Sequence, residues 1–143
     1  MRFFRKSSGL PRRIGDEAMV TRTGTCACGQ LRVKCAGDPV KVSLCHCLDC
    51  QKRTGSTYGI AAFFPRKNVE ADGLFRTYRR NSDSGFAVNF HFCPSCGSTV
   101  FWEPERNPDA IAVAVGSFAD PTFPAPSQSV YNERRHPWVS ALN

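Results

Sequence analysis

Cysteine clusters constrain the fold of this 143-residue chain more than any other feature, because seven of its eight cysteines lie in three short groups. These groups are a pair, a triad and a second pair, namely Cys26 and Cys28, then Cys45, Cys47 and Cys50, then Cys93 and Cys96. Four thiolates complete a tetrahedral zinc shell, whereas three leave one position open. The counts therefore predict one closed structural site and one site that can take a ligand from outside.

A disulfide framework is the alternative interpretation of so many cysteines in a short chain. Cysteines two apart, such as Cys26 and Cys28, do not easily satisfy disulfide geometry with each other, but both sulfurs can point at one ion. The first residues lack the apolar core of about 7–15 residues that a signal peptide has. No run approaches the roughly 18 apolar residues of a membrane span. We therefore expect a metal-binding, cytoplasmic protein without a membrane partner.

The turn Cys-Pro-Ser-Cys-Gly at residues 93–97 has the form of a zinc knuckle, in which turn amides can hydrogen-bond the thiolates. It needs two more ligands. Cys26 and Cys28 supply them most economically, because Gly24 and Gly29 flank that pair as turn residues. We predict a structural zinc on these four cysteines, where metal binding becomes part of the folding energy. Thiolate clusters also accept iron, but mononuclear sites of this kind favour zinc.

The triad Cys45, Cys47 and Cys50 is the candidate for an open metal site and for catalysis. The alternative is a second closed site, completed by His46, Asp49, His91 or Cys35. Three thiolates around a zinc ion leave a formal charge of −1, which makes the ion a weak activator of water. A substrate thiol suits this position better, because coordination lowers the pKa of a thiol.

Two basic residues, Lys52 and Arg53, directly follow the triad. They can offset its negative charge or hold the carboxylates of a thiol substrate. The alternative is that both are solvated positions on a short helix.

Apolar and polar residues alternate along the rest of the chain with the period of two that indicates β-strands. The clearest candidate, Phe86 to Phe92, leads directly into Cys93. Ile111 to Val115 is apolar on both faces, which predicts a central strand covered on two sides. Only Leu48 to Thr54, stopped by Gly55, is typical of a helix. We expect a mainly β, small antiparallel domain with zinc-bearing turns and few short helices. The other strand candidates are Gln30 to Cys35, Val40 to Leu44, Tyr58 to Phe64, Phe75 to Arg79 and Thr99 to Trp102.

The net charge of +7 is concentrated near the start of the chain. Residues 1–22 hold six basic and two acidic residues, a net +4, which leaves +3 for residues 23–143. Because the first segment lacks periodicity, we predict a basic, disordered extension at residues 1–22 and one domain at residues 23–143. No basic stripe is evident in the domain, which argues against a nucleic-acid partner.

Several motifs together carry a resemblance to a known family. They are Gly24-x-Cys26-x-Cys28-Gly29, Cys45-His46-Cys47-x-x-Cys50 with Gly55-Ser56, Phe92-Cys93-x-x-Cys96-Gly97-Ser98, Val115-Gly116-Ser117-Phe118 and Trp138. Over about residues 23–140 the chain resembles the glutathione-dependent formaldehyde-activating enzyme family, which is also named for its centromere protein V member.

This resemblance implies a β-tent fold with two zinc ions per chain. One would be a structural zinc on Cys26, Cys28, Cys93 and Cys96, and the other a more labile zinc on the triad. It also implies a carbon–sulfur lyase or S-(hydroxymethyl)glutathione synthase activity, with formaldehyde or a similar carbonyl compound as the electrophile. The glutathione sulfur would lie near the second zinc. The expected substrate-binding residues are Lys52, Arg53, Gly55 and Ser56. The alternative function is a non-catalytic, zinc-stabilised binding module with a basic tail.

Overall fold

The computed structural model describes residues 2–3 and 19–140 of the chain. The fold is mainly β, as the alternation predicts, and its α-helix, α1, spans Leu48–Thr54. The strands are β1 (Arg2–Phe3), β2 (Thr21–Thr25), β3 (Arg32–Ala36), β4 (Lys41–Cys45), β5 (Gly59–Pro65), β6 (Val69–Asp72), β7 (Leu74–Asn81), β8 (Ala87–Phe92), β9 (Thr99–Pro104), β10 (Ala110–Ala114) and β11 (Gln128–Val130). Within these described ranges, no helix has both the length and the apolar character needed to cross a membrane.

The strands form two sheets. The larger sheet has eight strands in the order β1-β7-β8-β9-β10-β5-β4-β11, and the smaller has three in the order β2-β3-β6. Neighbouring strands run antiparallel except for β11, which pairs with β4 in parallel. This pair departs from the antiparallel expectation. Gln128 helps to hold it, because its side-chain amide donates to the Ser43 hydroxyl at 3.0 Å.

The main core lies between the two sheets. In β3, Val33 and Cys35 are fully buried there, while Arg32 and Lys34 are exposed, which confirms the period-two interpretation of this segment. Burial raises the pKa of the Cys35 thiol to about 12. Cys35 is therefore a protonated core residue rather than a metal ligand.

Strand β10 is covered on both faces, as its apolar sequence predicts. Ile111 and Val113 pack in the main core, whereas Ala112 packs with Phe90 and Trp102 in a second cluster on the opposite face of the larger sheet. The register explains this cluster, because Ala112 lies opposite Trp102 and Trp102 lies opposite Phe90. Directly opposed residues point to the same face of a sheet.

The second cluster leads to the triad. Its member Ala61 lies in β5, two residues after Gly59, and Gly59 pairs with Cys45. Because residues two apart on a strand share a face, Cys45 points to the same face of the larger sheet as Ala61. This face therefore carries both the second cluster, called the aromatic cluster below, and the first cysteine of the triad.

Four strands are not among the candidates that the alternation predicts, namely β1, β2, β6 and β11. In β6, Val69 and Ala71 do alternate with polar residues, but over four residues only, and each of these strands is defined by its pairing with a neighbouring strand. Thr21 and Arg22 thereby lie in β2, although the sequence assigns them to the N-terminal extension, and Arg22 donates to Gly37 O at 3.2 Å. Residues 1 and 4–18 of the expected extension lie outside the described residues, and the division of the chain at residue 22 stays a prediction.

His91 is buried beside the main core, with 2% of its surface exposed. Its ring lies 4.7 Å from the ring of Phe75 and 4.6 Å from that of Phe101. Nε2 lies 2.7 Å from a carboxylate oxygen of Glu103, and Nδ1 lies 2.9 Å from the Thr77 hydroxyl. These partners account for both ring nitrogens of a buried histidine.

Glu103 connects His91 to the surface, since Arg66 donates to its second carboxylate oxygen at 2.6 Å. The hydrogen bond from His91, followed by that from Arg66, lowers the pKa of Glu103 from its ordinary 4.5 to about 2. A carboxylate with a depressed folded-state pKa stabilises the fold above its unfolded pKa. This contribution is lost as the pH falls toward the folded pKa.

Glu103→Gln is therefore expected to reduce the free energy of unfolding at pH 7 by about 1–3 kcal/mol, because a charge-assisted network becomes a neutral one. The difference between wild type and variant should shrink as the pH falls from about 4.5 toward about 2. Thermal unfolding of wild type and variant at pH 7, 5 and 3 measures this difference in stability. The four-cysteine and triad clusters are the same in both proteins, so the comparison isolates Glu103. An equal difference at pH 7 and pH 3 would contradict this role.

Candidate metal centres

Four cysteines converge in space although 65 residues separate Cys28 from Cys93. Their sulfur atoms all lie within 4.8 Å of one another, and the set, called the four-cysteine site below, is Cys26, Cys28, Cys93 and Cys96. Cys28 Sγ lies 3.6 Å from Cys26 Sγ and 3.7 Å from Cys93 Sγ. Sulfurs at about 2.3 Å from a tetrahedral zinc ion lie about 3.8 Å apart. The spacing and the donor set therefore fit one zinc ion.

Both cysteine pairs stand on turns of the same form. In each turn the first cysteine donates its N–H to the carbonyl five residues later, at 3.0 Å in both cases. Gly29 and Gly97 occupy the left-handed region, with φ of +82° and +80°, which glycine adopts without strain. The first turn follows β2 of the smaller sheet and the second follows β8 of the larger one. A metal bound in this site would tie the two sheets together.

Hydrogen-bond donors point at the sulfurs of this site. Leu31 N–H donates to Cys26 Sγ at 3.2 Å, and the Ser98 hydroxyl lies 3.4 Å from Cys96 Sγ. The hydroxyl and the backbone N–H of Ser98 lower the pKa of Cys96 to about 5. Such donors favour the thiolate, which is the form that zinc binds.

Gln30 is a contact of this site that the cysteine spacing does not reveal. Its side-chain amide donates to Cys93 Sγ at 3.0 Å and to Leu74 O at 2.7 Å, and its carbonyl oxygen accepts from Leu74 N–H at 2.9 Å. Gln30 thus joins the first turn, the second turn and the start of β7. Its place directly after Gly29 is the only sequence signal that could have pointed to it.

The triad is brought together by a strand end and a helix start, and its three sulfurs lie within 4.8 Å of one another. Cys45 is the last residue of β4, while Cys47 is the N-cap of α1. Cys47 Sγ accepts the N–H of Cys50 at 3.3 Å, as a capping side chain does. The local fold that begins the helix is therefore the same one that gathers the ligands.

No fourth cysteine, histidine or carboxylate ligand atom in the described part of the chain lies within 4.8 Å of all three triad sulfurs. Asp49 forms a salt bridge with Arg80 at 3.0 Å. His46 is 1% exposed, its ring lies 6.0 Å from that of Tyr58, and neither ring nitrogen has a partner among the described residues. None of the four residues that the sequence offers to close the triad thus joins the three sulfurs as a fourth ligand in the described structure. The donor set fits a zinc ion with one open position.

Arg53 lies against the triad and on the aromatic cluster of the larger sheet. Its guanidinium carbon is 4.3 Å from the centroid of the Trp102 ring and 5.6 Å from that of Phe90. Gly59 leaves space for it, because a Cβ at Gly59 would lie 2.7 Å from Arg53 Nη2. The guanidinium therefore occupies a defined slot that is bounded by the Trp102 ring and by Gly59.

The thiols of the triad influence one another. Hydrogen bonding with Cys45, followed by that with Cys47 and by the charge and hydrogen bond of Arg53, lowers the pKa of Cys50 to about 6. The hydrogen bond to Cys50 and burial raise the pKa of Cys45. Cys50 is thus the triad thiol whose thiolate form the surroundings favour.

Of the residues predicted to bind substrate, the structure brings Arg53 to the triad and leaves Lys52, Gly55 and Ser56 exposed at the end of α1. Gly55 ends the helix in the left-handed region, with φ of +71°, and its N–H donates to Gln51 O at 2.9 Å. In the described structure, none of these three residues forms a hydrogen bond with a triad sulfur.

The segment after β11 borders the triad. Val130 pairs with Cys45, and its carbonyl accepts the N–H of His46 at 3.1 Å. The Gln51 side chain donates to His46 O at 2.9 Å and to Arg134 O at 3.2 Å, so α1 is tied both to the triad loop and to this segment. The sequence offers no signal for this arrangement, because it depends on the parallel pairing of β11.

Comparisons with known proteins identify relatives of this chain. The model of the glutathione-dependent formaldehyde-activating enzyme family matches residues 21–134. A Penicillium rubens protein named as such an enzyme is 26% identical over 139 residues, which cover 85% of this chain and 72% of that protein. A Fusarium vanettenii protein of the same name is 29% identical over 91 residues, or 54% of this chain and 46% of that protein. The chain thus spans less than half the length of the Fusarium relative.

The fold also has a relative among solved structures. A crystal structure of a Rhodobacter sphaeroides protein superposes with a TM-score of 0.57 at 20% identity, covering 75% of this chain and 98% of that one. At this identity the likeness concerns the fold alone. The family match, by contrast, spans most of the chain and includes every cysteine of the four-cysteine site and the triad. The chain therefore belongs to the glutathione-dependent formaldehyde-activating enzyme family.

Proposed function

We propose that this protein is a zinc-dependent carbon–sulfur lyase of the S-(hydroxymethyl)glutathione synthase type. It adds a thiol such as glutathione to a small carbonyl compound and catalyses the reverse cleavage. The observation that carries this proposal is the pair of clusters, one with four cysteines and one with three and no fourth ligand among the described residues. The names of the Penicillium and Fusarium relatives point to glutathione and formaldehyde as the substrate classes.

Two zinc ions per chain are the proposed cofactors, one in each cluster. A zinc ion on the triad supplies an open position for a substrate thiol and lowers the pKa of that thiol. Cys45, Cys47 and Cys50 hold the ion. In the overall addition a carbon–sulfur bond forms, the carbonyl double bond becomes a single bond, and the proton lost by the thiol ends on the former carbonyl oxygen. The reverse reaction breaks the same bond and returns that proton.

Lys52 and Ser56 are the proposed contacts for a carboxylate of glutathione. Both are exposed at the end of α1, beyond the triad, and the left-handed turn at Gly55 presents Ser56 next to the helix end. The backbone N–H of Ser56 already donates to the Thr54 hydroxyl at 3.0 Å, so the hydroxyl of Ser56 is the group available to a substrate. Arg53 lies nearer the triad and is considered below. A reducing cytoplasm, where thiols persist, is the proposed location.

Zinc content and thiol binding test the proposed function. We expect about two zinc ions per chain, of which a mild chelator removes one, as an open three-thiolate site predicts. Addition of glutathione should add a sulfur ligand to the labile ion, as measured by X-ray absorption at the zinc edge. S-methylglutathione, which lacks the thiol, is the matched control and should cause no change.

Two inert zinc ions indifferent to glutathione would contradict the lyase and favour the zinc-stabilised binding module. That alternative predicts binding to an acidic partner that weakens with salt and disappears when residues 1–22 are removed.

A further inference from the structure

We propose that Arg53 is a positioning residue of the triad: its guanidinium lies beside Cys50 and offsets the negative charge of the cluster, so that a substrate thiol joins the site as an anion. The inference rests on the proposed function for its thiol and deepens it. It assigns Arg53 to the metal site rather than to the carboxylates of the substrate.

The surroundings of Arg53 hold its guanidinium in one place. One face lies on Trp102 at 4.3 Å, and the absence of a side chain at Gly59 leaves the space for Nη2. An arginine that binds a flexible substrate end needs freedom to reach it. Here the same point, where a Gly59 Cβ would stand, lies 2.7 Å from Arg53 Nη2 and 3.5 Å from Cys50 Cβ, so the guanidinium is held beside Cys50.

Arg53 has no competing acidic partner in the described residues. It forms no salt bridge there, and its buried Nε has no hydrogen-bond partner. Arg80, which lies over the same Phe90 ring at 5.1 Å, differs because Asp49 pairs with it at 3.0 Å. The positive charge of Arg53 is therefore available to the triad.

The net charge of the metal cluster explains how Arg53 would affect thiol binding. Three thiolates around a divalent ion carry −1, and a fourth thiolate makes the cluster −2. A fixed cation beside Cys50 reduces each value by one charge unit, and its benefit is larger for the more negative state. Arg53 should therefore favour binding of the thiolate form of a substrate, whatever the rest of that substrate looks like.

Two thiols separate this role from carboxylate binding. Glutathione has two carboxylates, whereas 2-mercaptoethanol has none. If Arg53 acts on the triad, its loss affects both thiols equally. If Arg53 contacts a carboxylate, its loss affects glutathione alone.

The experiment uses cobalt-substituted protein, because cobalt–thiolate absorption reports ligand binding without turnover. Arg53→Met should raise the pH midpoint of thiol binding by about 1 unit for both thiols. Without any thiol, it should weaken retention of the triad metal by about tenfold or more against a chelator. Arg53→Lys keeps the charge and should recover most of the midpoint shift. Lys41→Met is the matched control, since it removes a cation that lies 4.7 Å over the Phe63 ring of β5, and it should change neither quantity.

Gly59→Ala tests the same contact without removing the charge. The added Cβ would meet Arg53 Nη2, so the guanidinium must move. The pH midpoint of thiol binding and the retention of the triad metal should therefore both shift in the same direction as in Arg53→Met. Wild-type values in both Arg53→Met and Gly59→Ala, or a loss confined to glutathione, would overturn the inference. Failure of wild-type protein to bind either thiol would instead refute the proposed function, and metal retention would still test Arg53.

Discussion

Cys93→Ser is expected to lower the melting temperature by at least about 15 °C, because losing one ligand of the proposed structural zinc would remove about 5 kcal/mol or more from a domain of this size. Cys93 is fully buried and belongs both to the main core and to the four-cysteine site. That site joins the turn after β2 in the smaller sheet to the turn after β8 in the larger one. Its loss therefore removes a cross-link between the two sheets.

Thermal unfolding by circular dichroism, together with zinc content, measures this effect. Cys35→Ala is the matched control, because Cys35 is an equally buried cysteine of the main core that lies outside both clusters. We expect it to cost about 1–3 kcal/mol, as an ordinary core truncation does, and to retain all the zinc. Similar melting temperatures for Cys93→Ser and Cys35→Ala would show that the four-cysteine site is not needed for folding.

Cys47→Ser is expected to abolish thiol addition, with a loss of at least about 100-fold, and to release one metal ion while the domain stays folded. The fold survives for a local reason. Cys47 Sγ caps α1 by accepting the N–H of Cys50, and serine is itself a preferred N-cap residue. The helix therefore keeps its first turn when the metal ligand is removed.

Formation of the adduct of glutathione and formaldehyde, followed by NMR, measures the activity of Cys47→Ser, and metal analysis counts the remaining zinc. Comparison with Cys93→Ser tests the division of roles between the two clusters. We expect a small thermal loss with no activity in Cys47→Ser and a large thermal loss in Cys93→Ser. Equal thermal losses in the two variants would refute this division.

Local signals in the sequence were sufficient to predict those features that depend on residues close together in the chain. Helix α1 spans Leu48–Thr54 as predicted, because Cys47 caps its start and Gly55 can adopt the left-handed conformation that ends it. The alternation of β3 and the doubly apolar character of β10 correctly identified their buried faces. The spacing of the cysteines likewise identified the two groups that the fold brings together.

Features that depend on strand pairing could not be predicted in this way. Strands β2 and β11 are mostly polar and β6 has only four residues, so hydrogen bonds to neighbouring strands define all three. His91 looks like a polar position between Phe90 and Phe92, yet the larger sheet places it against Phe75 and Phe101. The register, which no local pattern encodes, decides these environments.

The sequence by itself thus determined the β class of this protein, the bounds of its helix and the partition of its cysteines, because capping, alternation and ligand spacing act over a few residues. Only the tertiary structure decided which cation reaches the triad. Lys52 and Arg53 are equivalent as neighbours in the sequence, but Lys52 is exposed while Arg53 lies on Trp102. That choice comes from packing α1 against a sheet whose strands are distant in sequence, which brings Trp102 and Gly59 to the side of the helix where Arg53 projects.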